Sequence, residues 1–181
     1  MQTNVSIIVN SLLLILFLCV GLTATAAQSK PSPPDINGSW ILNTAETKID
    51  GFKLEVNGIM RAEIKQTEPR ISLIVTGVLP DGKEEEHQRS VYFTDNRGES
   101  NTSRSGERSS KTRWKNNKLN IEISTGDRLK KEKEEWWLSK DNNKLFRKIT
   151  INTKIEYQIN GKAIGEDELK THLLFVFDRS R

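Results

Sequence analysis

From Met60 onward, hydrophobic and polar positions change places at almost every residue. Met60, Ala62 and Ile64 fall on one face and Arg61, Glu63 and Lys65 on the other. That period of two marks a half-buried β-strand. After Pro69, which limits where pairing can resume, Ile71, Leu73 and Val75 alternate with Ser72, Ile74 and Thr76, a strand with apolar matter on both faces. Leu79-Pro80-Asp81-Gly82-Lys83 predicts a reversal. Proline presets φ, aspartate accepts a local hydrogen bond, and glycine supplies the positive-φ position. The chain should return antiparallel through residues 84–93, best formed at Val91-Tyr92-Phe93, and turn again at Asp95-Asn96-Arg97-Gly98.

Residues 98–111 (GESNTSRSGERSSK) are the most polar part of the body. Their composition suits either a disordered stretch or two weak strands joined by a solvated loop at a barrel rim. Alternation returns at Thr112-Arg113-Trp114-Lys115. Asn116-Asn117 turns, and Leu119, Ile121 and Ile123 then alternate with Asn120, Glu122 and Ser124. Residues 129–135 (LKKEKEE) have a helical composition with i, i+4 ion pairs. They run without a break into Trp136-Trp137-Leu138 between strand-spaced turns, so a strand is expected. Beyond the turn at Lys140-Asp141-Asn142-Asn143, Leu145, Arg147, Ile149 and Ile151 share one face, and Phe146, Lys148 and Thr150 the other. Residues 155–159 extend that strand, Asn160-Gly161 suits a hairpin turn, and residues 165–169 have room for one helical turn. The chain closes on a strand from His172 to Arg179.

Upstream, residues 28–34 (QSKPSPP) cannot join a sheet or helix and read as a tether. Asn37-Gly38-Ser39-Trp40-Ile41-Leu42 is a first strand opening on a tight glycine. The sum is an all-β chain of about nine or ten short antiparallel strands with no clear crossover helix: an up-and-down meander, either a closed barrel or a sandwich.

A different pattern precedes this body. Residues 5–22 are almost entirely apolar and lead to Ala24-Thr25-Ala26-Ala27, which fits a secretory signal peptide, although no Lys or Arg precedes the run. The alternative is an uncleaved anchor, which needs about 20 apolar residues; Asn10 and Ser11 leave only Leu12 to Leu22 as a clean core. Cys19, the one cysteine, follows Leu18 inside the apolar run and reads as a small hydrophobe rather than a lipidation site. The expected organisation is a signal peptide at 1–27, a flexible tether at 28–35 and a barrel at 36–181, in the periplasm or secreted, with no membrane span after cleavage.

The body beyond the leader has no cysteine, so its stability must come from burial and hydrogen bonding. A chain of about 150 residues buries roughly 68–70% of its unfolded surface, enough for a core without disulfides. The 28 Lys and Arg against 24 Asp and Glu leave a net charge of +4. Spread this evenly, that excess serves solubility and argues against nucleic acid as a partner.

Asn37-Gly38-Ser39-Trp40 resembles the G-x-W opening of lipocalins and the wider calycin group of β-barrels. Pro80-Asp81-Gly82-Lys83, residues 112–119 (TRWKNNKL), Trp136-Trp137-Leu138-Ser139-Lys140-Asp141 and Phe177-Asp178-Arg179 resemble small exported bacterial lipocalin-like proteins. The resemblance covers residues 36–179 and implies an up-and-down lipocalin-like barrel of about 8–10 strands with an internal cavity. It also implies that an arginine from the end of the barrel packs over the G-x-W tryptophan. Gly38, Trp40 and Arg179 are the residues so implied, with Arg147 as a second candidate. Residues 98–111 and 160–170 depart from the lipocalin pattern.

Candidate chemistry is sparse. His87 and His172, the two histidines, have no metal-ligand spacing, and His87 is expected on a solvated hairpin rim. No serine lies in a G-x-S-x-G elbow, so an enzyme is not expected, nor is a cofactor. Trp40 and Trp136 read as core. Trp114, between Arg113 and Lys115, is expected to face the core with its cations in water, and either Trp136 or Trp137 to face outward. Two readings of function follow. In one, a small apolar or amphipathic molecule sits in the barrel against Leu73, Val75, Tyr92, Trp114, Ile121, Trp136 and Ile149. In the other, a filled barrel of the envelope meets an anionic partner through a basic rim of Arg104, Arg108, Lys111 and Arg113. A monomer is expected in either case.

Overall fold

In a computed structural model, the described residues are 32–53, 58–103, 106–127, 129–159 and 162–180. The leader with Cys19, most of the tether, Arg104 and the Asn160-Gly161 turn lie outside them. Among the described residues there are twelve strands and no helix: β1 (Gly38–Leu42), β2 (Lys48–Ile49), β3 (Phe52–Lys53), β4 (Ile59–Thr67), β5 (Arg70–Val78), β6 (Glu84–Phe93), β7 (Glu99–Ser103), β8 (Gly106–Lys115), β9 (Lys118–Ser124), β10 (Lys130–Leu138), β11 (Lys144–Ile159) and β12 (Lys162–Arg179).

Every pairing is antiparallel. The strands run in the order β6-β5-β4-β1-β12-β11-β10-β9-β8-β7, which curls into a nearly closed up-and-down barrel. The reversals lie where turn chemistry put them. Asp81 Oδ1 accepts from the Lys83 amide at 3.0 Å, and Asn116 and Asn117 take φ of 51° and 58°, the twin left-handed pair of a two-residue hairpin. Residues 130–138 form a strand despite their helical composition, because Glu132, Glu134 and Trp136 each have an inward partner on both neighbouring strands.

Two expectations need correction. Residues 165–169 make no helical turn; they extend β12, with Glu166 opposite Glu156 and Leu169 opposite Thr153. Cross-strand pairing outweighs whatever helix propensity G-E-D-E-L has. His87, at the hairpin end, is half-buried rather than fully solvated. It is the extra residue where the β5–β6 register slips after Val75, and its ring covers Gly77. A Cβ on Gly77 would stand 2.2 Å from His87 Nε2, so that approach requires glycine.

Between β6 and β7 the barrel closes through side chains, and just past β6 through one backbone bridge, Asp95 to Arg113, with the Asn96 amide donating to the Thr112 carbonyl at 3.0 Å. Asn101 Oδ1 accepts from the Val91 amide at 2.7 Å and its Nδ2 donates to the Val91 carbonyl at 2.9 Å, so one amide side chain replaces a peptide of the missing ladder. Glu99 Oε2 accepts from the Phe93 amide at 3.2 Å.

At one end of the barrel Trp40 is fully buried, its Nε1 donating to the Ile36 carbonyl at 3.1 Å. The Arg179 guanidinium lies 4.3 Å from the Trp40 ring centroid. Its Nε and NH1 donate to the carbonyls of Asn142 and Asn37 at 3.1 and 3.0 Å. Gly38 is suited to this place by its backbone, at φ 126°; a Cβ there would stand 3.5 Å from Arg179 NH1, an ordinary contact. Arg147 covers a different tryptophan, Trp136, at 5.4 Å. Outside, Trp137 stacks on Phe146 at 5.2 Å under the Lys118 ammonium, so the outward tryptophan is sheltered by a lysine.

Past Lys154, β11 and β12 have only each other as ladder partners among the described residues. This projecting ribbon is amphipathic. Ile155, Tyr157 and Leu169 share one face, in the pleat of the inner wall, and Glu156, Glu166 and Glu168 the other.

Candidate ligand-binding site

Antiparallel register places directly opposed residues on one face, and this sorts the interior into a wall and a polar cluster. Leu73, Val75, Tyr92, Ile121 and Trp136 are buried, whereas Ile149 and Trp114 are half-buried. Across the strands Leu73 faces Ser90, Val75 faces Gln88, Ile121 and Ile149 both face Glu134, and Trp136 faces Arg147. Trp114 is set apart from the cluster. Its Nε1 donates to Glu68 Oε1 at 2.9 Å, next to the β4–β5 turn.

Two carboxylates project into this interior from the stretch that looked helical. Glu134, whose side chain is 1% exposed, accepts from Arg147 Nε at 2.8 Å and NH2 at 2.9 Å, a two-pronged grip. It also accepts from Trp136 Nε1 at 2.9 Å. Arg147 NH1 donates to Gln88 Oε1 at 3.2 Å, and Gln88 Nε2 donates to the Ser90 hydroxyl at 3.0 Å and the Tyr92 hydroxyl at 3.4 Å. Tyr92 meets Trp136 edge to face at 5.5 Å. Further along the same wall Glu132 is ion-paired to Arg108 through NH2. The Arg108 Nε is buried and has no partner.

Burial alone would raise the Glu134 pKa, but the Arg147 charge and hydrogen bonds hold it below the usual carboxylate range. Arg147, which burial would push down, is held above its ordinary value by the same partner. Burial, helped by the Glu134 charge, pushes the Tyr92 phenol up to about 12. At neutral pH the cluster is therefore Glu⁻, Arg⁺ and a neutral phenol that can donate one hydrogen bond.

Among the described residues the hollows deep in this wall are small, and an open one of ≈ 320 Å³ borders Ile123, Glu132 and Asn152. One cavity of ≈ 10 Å³ lies among Leu73, Val75, Trp136, Leu145, Arg147 and Phe177, and one of ≈ 20 Å³ among Gln88, Ser90, Tyr92, Asn101, Arg108 and Ser110. Each has room for about one water. Ile121, Ile149 and Trp114 line neither. A much larger hollow, ≈ 640 Å³, is an open groove near the seam, with Glu99, Ser109, Lys111 and Glu122 along it.

The basic rim does not assemble as expected. Arg108 turns inward to Glu132, because its register position opposite Asn101 is on the inner face. Arg113 is ion-paired to Glu122 at 2.8 Å, and Lys111 is exposed. Among the described residues no group of three or more His, Cys, Asp or Glu could hold a metal ion. No helix there is long and apolar enough to cross a membrane.

No family model matches the chain, and no curated protein matches it. Solved structures do. A secretory abundant heat soluble protein from Ramazzottius varieornatus is 12% identical, with a TM-score of 0.50, covering 82% of this chain and 98% of its own. Zebrafish ileal bile acid-binding protein, crystallised with cholic acid, is also 12% identical at a TM-score of 0.50, covering 80% of this chain and 98% of its own. At that identity the likeness concerns the fold alone, a nearly closed antiparallel barrel, and says nothing of what this chain's own interior residues do.

The interior residues that sequence reading passed over are Glu132, Glu134, Gln88 and Ser90, and Arg108 was expected on an outer rim instead. The signal was present: Gln88 and Ser90 stand four and two positions before Tyr92. Glu132 and Glu134 stand four and two positions before Trp136, so strand parity assigns them to the face of that core tryptophan.

Proposed function

We propose that the chain is an exported binding protein that takes a small amphipathic molecule into its barrel. The apolar part lies against Leu73, Val75, Ile121, Ile149 and Trp136, with Trp114 lower on the wall. The polar part lies at Tyr92, Gln88 and Arg108. The role is binding, with no catalytic step.

The observation that carries this reading is the polar cluster inside an otherwise apolar barrel. Buried ion pairs contribute little net stability, and replacing one by packed hydrophobic residues is often neutral or favourable. A barrel that needed only to be filled would gain nothing from Glu134, Arg147, Glu132 and Arg108. The buried, unpartnered Arg108 Nε asks for an acceptor that the protein does not supply. A bile acid-binding protein crystallised with cholic acid has the same fold, which supports this use of the interior.

The cavities beside Tyr92, Gln88 and Trp136 hold only ≈ 10 and ≈ 20 Å³, against the roughly 300–1,000 Å³ of ordinary ligand pockets, so the wall there must give on binding. The β6–β7 seam, joined through Asn101 and Glu99 rather than a backbone ladder, is where it gives most cheaply. The same small cavities favour a second reading, a filled envelope barrel acting through its outer surface on an anionic partner. Native mass spectrometry of protein purified from its own host separates the two. A co-purifying small molecule is expected; a bare mass, with salt-sensitive binding to envelope polyanions, supports the second reading instead.

A further inference from the structure

We infer that the barrel selects uncharged amphiphiles that carry an oxygen acceptor, and rejects free carboxylic acids, because each inward guanidinium already holds a carboxylate of the protein. This rests on the binding reading above and names the class of its ligand.

An apolar barrel with an arginine inside is ordinarily a place for an anion, since a guanidinium presents paired donors that match a carboxylate. Here that place is taken. Glu134 spans Arg147 Nε and NH2 at 2.8 and 2.9 Å. The third guanidinium nitrogen, NH1, is used by Gln88 at 3.2 Å. Glu132 occupies Arg108 through NH2. Among the described residues the two inward guanidinium groups are thus matched one to one by two inward carboxylates, and Glu99, on the face of Ser110 beside the seam, adds a third. An entering acid would have to displace Glu134 or sit beside it unpaired in a low-dielectric interior, and both are costly.

What the interior does offer is neutral hydrogen bonding. The Arg108 Nε is buried and unused, and Arg108 lines the ≈ 20 Å³ cavity with Ser90, Tyr92 and Gln88. A hydroxyl, carbonyl or ester oxygen satisfies that donor without bringing a charge. The ≈ 10 Å³ cavity among Leu73, Val75, Leu145 and Phe177 lies on the apolar side, with Arg147 and Trp136 at its border. An amphiphile with a neutral oxygen at one end and a hydrocarbon body matches that division.

The test is isothermal titration of the protein at pH 7 with 1-decanol and with decanoate, which share a chain and differ in charge. Wild type should bind decanol at least tenfold more tightly. Part of that preference comes from the acid's own desolvation, so the variant decides. Glu134→Gln unpairs Arg147 and should tighten decanoate at least tenfold while changing decanol less than threefold. Glu132→Gln, which unpairs the less buried Arg108, should shift the acid in the same direction and stands in if the first variant does not fold by circular dichroism. Equal wild-type affinities, or an unchanged acid-to-alcohol ratio in the folded variants, overturn the selection against acids and leave the binding reading standing. No heat with either compound, in wild type and variants alike, overturns the binding reading itself.

Discussion

Glu134 and Arg147 differ from ordinary core residues in what their removal should cost. Deleting one partner of a buried pair strands the other, at about 3–5 kcal/mol, whereas replacing both by apolar residues of similar volume is often neutral or stabilising. Glu134→Gln is therefore expected to lower unfolding stability in urea by several kcal/mol, and the double variant Glu134→Leu/Arg147→Met to recover most of that loss. A double variant as unstable as the single one would make the pair structural rather than functional. The pair also sets the acid limb. Glu134 titrates lower in the folded barrel than its unfolded value of 4.5, so its contribution is present above that value and is lost as pH falls through the folded pKa. Tyr92 acts at the other extreme. Its phenol rises from 10.0 to about 12 on folding, so its contribution is full below pH 10 and is lost as pH rises towards 12. A shift of that size corresponds to about 2–3 kcal/mol. Tyr92→Phe should therefore remove the part of the alkaline stability loss that falls between these values, measured as the difference between the two pH–stability curves.

At the scale of elements, the seam is the weakest joint. Asn101 supplies both hydrogen bonds to Val91, and losing them leaves a partly buried amide and carbonyl without partners, at about 1–3 kcal/mol. Asn101→Ala should accelerate hydrogen exchange at Val91 and Phe93, with β10 and β11 unaffected. A uniform increase across the barrel would mean that the seam opens only on global unfolding. The seam also shows where the sequence stops being legible. Strands with an apolar side, such as residues 70–78 and 118–124, declare themselves by alternation. β7 is Glu-Ser-Asn-Thr-Ser, and polar residues that pair through side chains have no hydrophobic period to read. The same blindness hid the site. The apolar wall could be picked from alternation, but charged residues within that alternation look like the solvent face. Only parity with Trp136 betrays Glu132 and Glu134. Gln88 and Ser90 likewise share the parity of Tyr92, and the slip at His87, which no local signal announces, falls beyond them.

For the molecule as a whole, the core and the ribbon are separable. The buried apolar residues come from Ile36 through Phe177 but skip the stretch from Lys154 to Lys170, whose described side chains are all exposed. Burial of large side chains contributes about 1.5–3 kcal/mol each, and none of it arises in the ribbon. Its own cross-strand contacts, the Lys154–Glu166 ion pair at 3.0 Å and the Tyr157 hydroxyl donating to Asp167 at 2.8 Å, are solvent-exposed and weakly stabilising. Replacing residues 155–167 by a two-residue Asn-Gly turn, which keeps the Lys154–Glu168 pair as its flanks, should therefore leave the melting temperature within about 3 °C of wild type, less than the 4 °C or so that 1 kcal/mol moves a domain of this size. Retention of Ile155, Tyr157 and Leu169 on one exposed face then has no explanation in stability, because exposed apolar side chains in register with the inner wall cost solubility without adding to the core. If the shortened chain melts normally but binds decanol more weakly, the ribbon is part of the site's wall. A fall in melting temperature of 8 °C or more would show instead that the hairpin is a structural brace, and that the barrel cannot be understood as a core of residues 36–153 and 170–179 alone.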